Sequence, residues 1–251
     1  MDFSEKVIVL QVGRFKEADL WVRFLSPTRG LVSAFAFGGS RSRRRFVGCL
    51  DLFNEILVRV NSEKTGRYLA LQEGVLIKGL SRLRTDWNRL GLAMNCSRFL
   101  QCFGVGMDGA EKAHFLFHEI LGVLEGETPP PHLLPMFFRA RLVFDQGYAL
   151  DTTECSVCSA SLHHSGNART YLHLQDGQIL CQACYGKRGG SVLPLEPDAL
   201  QVLDRIRLEP PSAWNEPTLS SYGAKQCARA IDGFIQYHVG IRWHQGRFVR
   251  Q

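Results

Sequence analysis

Two C-x-x-C pairs lie in the second half of this 251-residue chain, Cys155 with Cys158 and Cys181 with Cys184, with 22 residues between them. This is the spacing of a four-thiolate zinc site. Each pair makes a tight turn that points two sulfurs at one tetrahedral ion. The intervening "ARTYLHLQDGQILC" reads as a β-hairpin turning at Asp176-Gly177, the usual body of a zinc ribbon. The competing reading is two pairs of reduced thiols, or a redox pair, but neither pair is flanked as thioredoxin-type pairs are. Four thiolates close the coordination shell and leave no position for a reactive water, so the expected role is structural, with one zinc per chain. Deaminase chemistry needs a His-x-Glu and a Pro before the second pair, where this chain has Leu180. His163, His164 and His173 are expected on the surface of the insert.

Ahead of the insert, residues 5–80 read as strands: "KVIVLQV", "DLWVRFLS", "LVSAFAFGG", "LDLFNEILVRV" and "RYLALQEGVLI", each bounded by turn residues. Five short strands in so small a domain imply a closed barrel, because closure removes exposed edges. An OB-fold is the expected form, with an SH3-like barrel as the competitor. After Leu80 the period changes. Leu83, Trp87, Leu90 and Met94 recur as on one helix face. A second helix carries Phe117, Leu121 and Leu124 and stops at the "TPPP" of residues 128–131. "LLPMFFRARLVFDQGY" is a third, closed by Gly147. Helix returns at Asp198–Leu208 and Leu219–Val239, the latter stopped by Gly240. The expected organisation is α+β and multidomain. An OB-fold-like barrel spans 1–80, and an α-helical domain spans 81–251 with the zinc ribbon inserted at about 151–192.

The charge is unevenly spread. Residues 1–80 hold 13 Lys and Arg against 8 Asp and Glu, so most of the chain's net charge of +6 sits in the barrel. It is concentrated in "GGSRSRRRF", where Arg41, Arg43, Arg44 and Arg45 crowd into one inter-strand loop. Four like charges that resist packing are either a solvated loop or a loop that touches phosphate, where arginine forks bind oxygens in pairs. Arg14 and Lys16 in the first inter-strand loop, and Lys64 and Arg67 in the last hairpin, lie where OB-folds grip nucleic acid. Phe46 either stacks on a base or anchors the return of the loop. Arg139 and Arg141, beside Phe137, Phe138 and Leu142, supply the apolar and cationic parts of a site for an acidic, aromatic-ended peptide.

Enzyme signatures are missing. There is no G-x-x-x-x-G-K-[ST] and no G-x-S-x-G, and His118-Glu119 lacks a second histidine four residues on. No stretch reaches the roughly 18 apolar residues of a membrane span, and the start has no signal-peptide core. A cytosolic, non-enzymatic protein is expected, with Cys49, Cys96, Cys102 and Cys227 as small core residues.

The whole chain resembles the RecO family of bacterial recombination mediators. The likeness is carried by Gly38 to Gly48, the following "LDLFNEILV", "RLVFDQGY" (Arg141 to Tyr148), and "DGQILCQAC" (Asp176 to Cys184). The resemblance implies an OB-fold that binds single- and double-stranded DNA without sequence preference, and annealing of complementary strands. It also implies partnership with RecR to load RecA onto DNA coated by single-strand binding protein, and a site in the helical domain for the acidic C-terminal tail of that binding protein. The chain departs from the family where Gly38 and Gly39 stand in place of a lysine-glycine pair, so arginines carry the charge. Two rival readings are an RNA-binding or transcription-associated zinc-ribbon adaptor, and a metal-dependent hydrolase, which would need an open metal position.

Overall fold

A computed structural model describes residues 2–62, 66–163, 169–187, 190–214 and 219–251. The chain forms two compact units, Met1–Ala93 with Gly104–Glu127, and Met94–Phe103 with Thr128–Gln251.

The first unit is built on a closed barrel. Its strands are β1 (Asp2–Arg14), β2 (Leu20–Ser26), β3 (Gly30–Ala36), β4 (Glu55–Ser62) and β5 (Leu69–Lys78), in the order β1-β2-β3-β5-β4. All pairs are antiparallel except β3 with β5, which meet in parallel at Phe35 and Ala70. This is the OB-fold order rather than that of an SH3-like barrel. Closure depends on β1. Its first half pairs with β4 and its second with β2, and a bulge between Val9 and Gln11 bends it from one partner to the other. Period-two alternation sends Val7, Val9, Val22, Phe24, Val32, Ala34, Ile56, Val58 and Val60 into the core.

Helices complete this unit: α1 (Ser81–Thr85), the start of α2 (Trp87–Phe103), and α3 (Ala110–Glu125). α3 packs on β2 and β3, and Phe117 meets Phe53 edge-on at 5.8 Å. The change from strand to helix near residue 80 is therefore not the edge of the compact unit, because the apolar face of α3 is buried by the barrel. Nor does one helix face run through Leu83, Trp87, Leu90 and Met94. The Asp86 carboxylate accepts the N–H groups of Asn88 and Arg89 and starts a new helix. This resets the register. Leu83 is buried, but Trp87 is 86 % exposed, and Arg89 takes a buried place, donating to the carbonyls of Leu124 and Gly126.

The second unit packs α4 (Leu134–Asp145), α5 (Pro197–Leu208) and α6 (Ser221–Val239) against one another. Between α4 and α5 lies the ribbon, a three-stranded sheet of β6 (Thr170–His173), β7 (Gln178–Leu180) and β8 (Val192–Leu195), with β6 in the middle. The β6–β7 turn contains Asp176 and Gly177, as the sequence predicts, and Gly240 ends α6 at φ 72°. A hairpin at the C-terminal end is not anticipated from the sequence. Its strands, β9 (Ile241–His244) and β10 (Arg247–Arg250), are joined through Gln245 and Gly246, both at positive φ as a type I′ turn requires. No helix among the described residues is long and apolar enough to cross a membrane.

Candidate nucleic-acid interface and metal centre

The sulfurs of Cys155, Cys158, Cys181 and Cys184 all lie within 4.8 Å of one another, and those of Cys158 and Cys181 are 3.8 Å apart. Sulfurs placed about 2.3 Å from a central ion in a tetrahedron are about 3.8 Å apart, whereas a disulfide holds them about 2.05 Å apart. The cluster has the dimensions of a cage that could hold a metal ion. The first turn is fixed by Cys155 N–H donating to the Ala160 carbonyl and Ser156 N–H donating to Ile179 on β7, with Ser159 in the left-handed region at φ 54°. In the second, Cys184 N–H donates to the Cys181 carbonyl, and Cys181 N–H points at the Cys155 sulfur at 3.3 Å.

Burial pushes the Cys155 thiol up, but the N–H groups of Cys181, Val157 and Cys158, with the Cys158 thiol, outweigh it and bring it down to about 6. Burial and the three neighbouring thiols push Cys184 up to about 12. Four thiolates this close would repel one another, and a metal ion bound among them would offset that repulsion. The described histidines of the insert, His163 and His173, are not part of this cluster. His173 is buried, not on the surface as the sequence suggests, because its Nδ1 faces the Asp176 carboxylate in the hairpin turn at 3.1 Å. His163 lies 3.9 Å from Asp204, and His164 falls outside the described residues.

At one end of the barrel three chain segments converge. The β3–β4 connection leaves β3 through Gly38 at φ 66° and forms a short 3-10 turn at Gly39–Arg41. Gly38 N–H donates to the Asp19 carboxylate and Ser40 N–H to the Ala18 carbonyl, which ties this segment to the β1–β2 loop. Arg41, Arg43, Arg44 and Arg45 are all exposed. Arg45 is nevertheless fixed. Its guanidinium donates to the Phe37 carbonyl at 2.6 Å, and its own carbonyl accepts Gly74 N–H at 2.8 Å. Arg41 lies 4.0 Å from Glu17, while Arg43 and Arg44 have no ion-pair partner among the described residues. Arg14, Lys16 and Arg67 are exposed on the adjoining segments, and Lys64 falls outside the described residues.

Phe46 is 5 % exposed and packs in the barrel core with Cys49, whose thiol donates to the Gly74 carbonyl at 3.3 Å. It anchors the loop and is not available to a base. A different set of rings lies at the surface. Phe15 packs on Phe35 at 4.8 Å, and Tyr68 sits 5.7 Å from Phe35 and 5.8 Å from Phe37. The Lys16 ammonium lies 5.6 Å from the Phe15 ring. On the same face Trp21, the register partner of Phe35, lies across Gly13, where a Cβ would come within 2.3 Å of the indole nitrogen. The sequence reading missed this cluster, although the alternation that buries Val32, Ala34 and Ala36 places Phe35 and Phe37 on the opposite face.

In the second unit the two arginines of α4 part company. Arg141 binds both oxygens of Asp145 and the carbonyls of Ile206 and Glu209, so its donors serve internal packing. Arg139 pairs with Asp232 at 2.9 Å and lines an open cleft of about 340 Å³ with Phe99, Arg242, Trp243 and Phe248. Phe137, Phe138 and Leu142 are core residues.

Comparison with known proteins gives consistent matches along the chain. The profile of a family described as "Recombination protein O N terminal" matches residues 1–80, and that of "Recombination protein O C terminal" matches residues 84–247. The chain is 48 % identical over 250 residues to a protein of Oleidesulfovibrio alaskensis named DNA repair protein RecO, and 47 % identical over 253 residues to the protein of that name from Nitratidesulfovibrio vulgaris. It is 40 % identical over 255 residues to the one from Lawsonia intracellularis. Each alignment covers the full length of both chains.

Proposed function

Because the chain belongs to the RecO family of DNA repair proteins, we propose that it is a non-enzymatic mediator that binds single- and double-stranded DNA without sequence preference and anneals complementary strands. With RecR it helps to load RecA onto DNA coated by single-strand binding protein. The observation that carries the reading is the convergence of exposed Arg14, Lys16, Arg43, Arg44 and Arg67 on the end of an OB-fold where its loops meet. Cations on fixed loops neutralise phosphates and release counterions whatever the base sequence. Annealing follows from the same physics, since two strands approach only once their phosphate charge is screened. An assay with complementary and non-complementary strands, in DNA and in RNA, tests it. Faster pairing of complementary DNA is expected. A preference for RNA with no DNA annealing would support the zinc-ribbon adaptor instead.

Zinc is the proposed occupant of the thiolate cage, as a structural ion, because the set is all-sulfur and four-coordinate. The proposed docking place for the acidic tail of single-strand binding protein is the cleft at Arg139, where Arg242 adds a second cation and Phe99, Trp243 and Phe248 supply apolar surface. Arg139→Ala is expected to weaken tail-peptide binding about tenfold, the usual size of a charge-assisted contact. Arg141→Ala is expected to lower stability with less effect on affinity. Titration calorimetry on both variants separates the two.

A further inference from the structure

We propose that Phe15, Phe37 and Tyr68, grouped around Phe35, form a stacking surface for unpaired bases, so that this end of the barrel prefers single strands over duplex. The inference rests on the DNA-binding reading above and adds selectivity to it. Phe15 is 51 % exposed, Phe37 38 % and Tyr68 37 %. Exposing three neighbouring rings is unfavourable in water, and a lone surface ring is common where a group is not. These rings are also held in place. Phe35 and Phe37 are two residues apart on one face of β3 and its extension, with centroids 6.2 Å apart and planes within 24° of parallel. Phe15 N–H donates to the Asp19 carbonyl, and Arg45 fixes the carbonyl of Phe37.

Charge around the rings is suited to a nucleic-acid strand. Lys16 lies beside Phe15, Arg67 precedes Tyr68, and Arg45 is bonded to Phe37. Of the acidic groups nearby among the described residues, Asp19 is engaged by Gly38 N–H, and exposed Glu17 lies 4.0 Å from Arg41. Arginines alone contact phosphates of paired and unpaired strands alike. Ring faces add affinity only where a base face is free, because the bases of a duplex are already stacked on one another.

The test measures binding of the full chain to an oligothymidine and to a duplex of equal length by fluorescence anisotropy. For the Phe15→Ala, Phe37→Ala, Tyr68→Ala triple variant, single-strand affinity is expected to fall by about 30-fold or more. Duplex affinity should stay within about threefold and the salt slope unchanged, since phosphate contacts set both. Equal loss on both substrates, or no loss on single strands, overturns the stacking surface. Wild-type protein that binds neither substrate overturns the DNA-binding reading itself. Should the triple variant fail to fold, Phe37→Trp provides the second measurement. Its indole emission should be quenched by single strands and not by duplex, and equal quenching by both contradicts the proposal.

Discussion

Replacing Arg41, Arg43, Arg44 and Arg45 together with alanine is expected to weaken DNA binding alike for all sequences and to flatten its salt dependence. Each phosphate neutralised on duplex DNA contributes about −0.9 to the slope of log affinity against log salt. The four arginines are not equal. Arg43 and Arg44 are exposed without an ion-pair partner among the described residues, Arg41 is near Glu17, and Arg45 spends its guanidinium on the Phe37 carbonyl. Two full phosphate contacts are therefore the expectation, a loss of about 1.8 from the slope. A fourfold rise in salt should then weaken the variant about tenfold less than the parent protein. Loss of Arg41, Arg43 and Arg44 should change stability by no more than about 0.5 kcal/mol, because these side chains are exposed and their mutual repulsion is relieved. Loss of the Arg45 bond to the Phe37 carbonyl adds a local cost of about 1 kcal/mol. A variant with normal affinity and an unaltered slope would reduce the run to a solvated loop.

Cys181→Ser should release the metal and unfold the ribbon while leaving the barrel intact. Metal analysis is expected to find one zinc per chain in the parent and close to none in the variant, since a structural zinc site contributes about 10–16 kcal/mol of apparent binding energy in isolated fingers. Among the described residues the ribbon's sheet has three short strands, and its first cysteine turn is tied to the sheet by Ser156 N–H donating to Ile179. The barrel is a separate compact unit with its own core, so its thermal transition should persist. Lowering the pH should also release metal, because each sulfur must lose a proton to bind and protons compete. Full zinc and unchanged melting in Cys181→Ser would remove that ligand from the site.

Much of the fold and of the metal cage was legible in the sequence, because the rules involved are local. Strand alternation identifies Val22 and Phe24, or Val58 and Val60, as barrel core without knowing the partners. C-x-x-C spacing identifies the cage because each turn is self-contained. What was missed depended on particular side-chain partners. Trp87 fits a helical period, yet the carboxylate of Asp86 caps a new helix and turns the ring to solvent. His173 reads as a surface histidine of the insert until Asp176, three positions on, meets it across the turn. Phe46, directly after four arginines, reads either as a stacking ring or as the anchor of the loop's return, and its burial decides for the anchor. The C-terminal hairpin was signalled by Gln245-Gly246 between Trp243 and Phe248, whose rings pack at 4.7 Å across the strands.

The central claim is that DNA is held at the end of the barrel where the β1–β2, β3–β4 and β4–β5 connections meet. The most direct measurement is photo-crosslinking of an oligonucleotide carrying photoreactive bases to the full chain, followed by peptide mapping. Crosslinks are expected at Phe15, Phe37 and Tyr68 and in the arginine loop at residues 41–45. Crosslinks confined to residues 128–251, with none on the barrel, would contradict it.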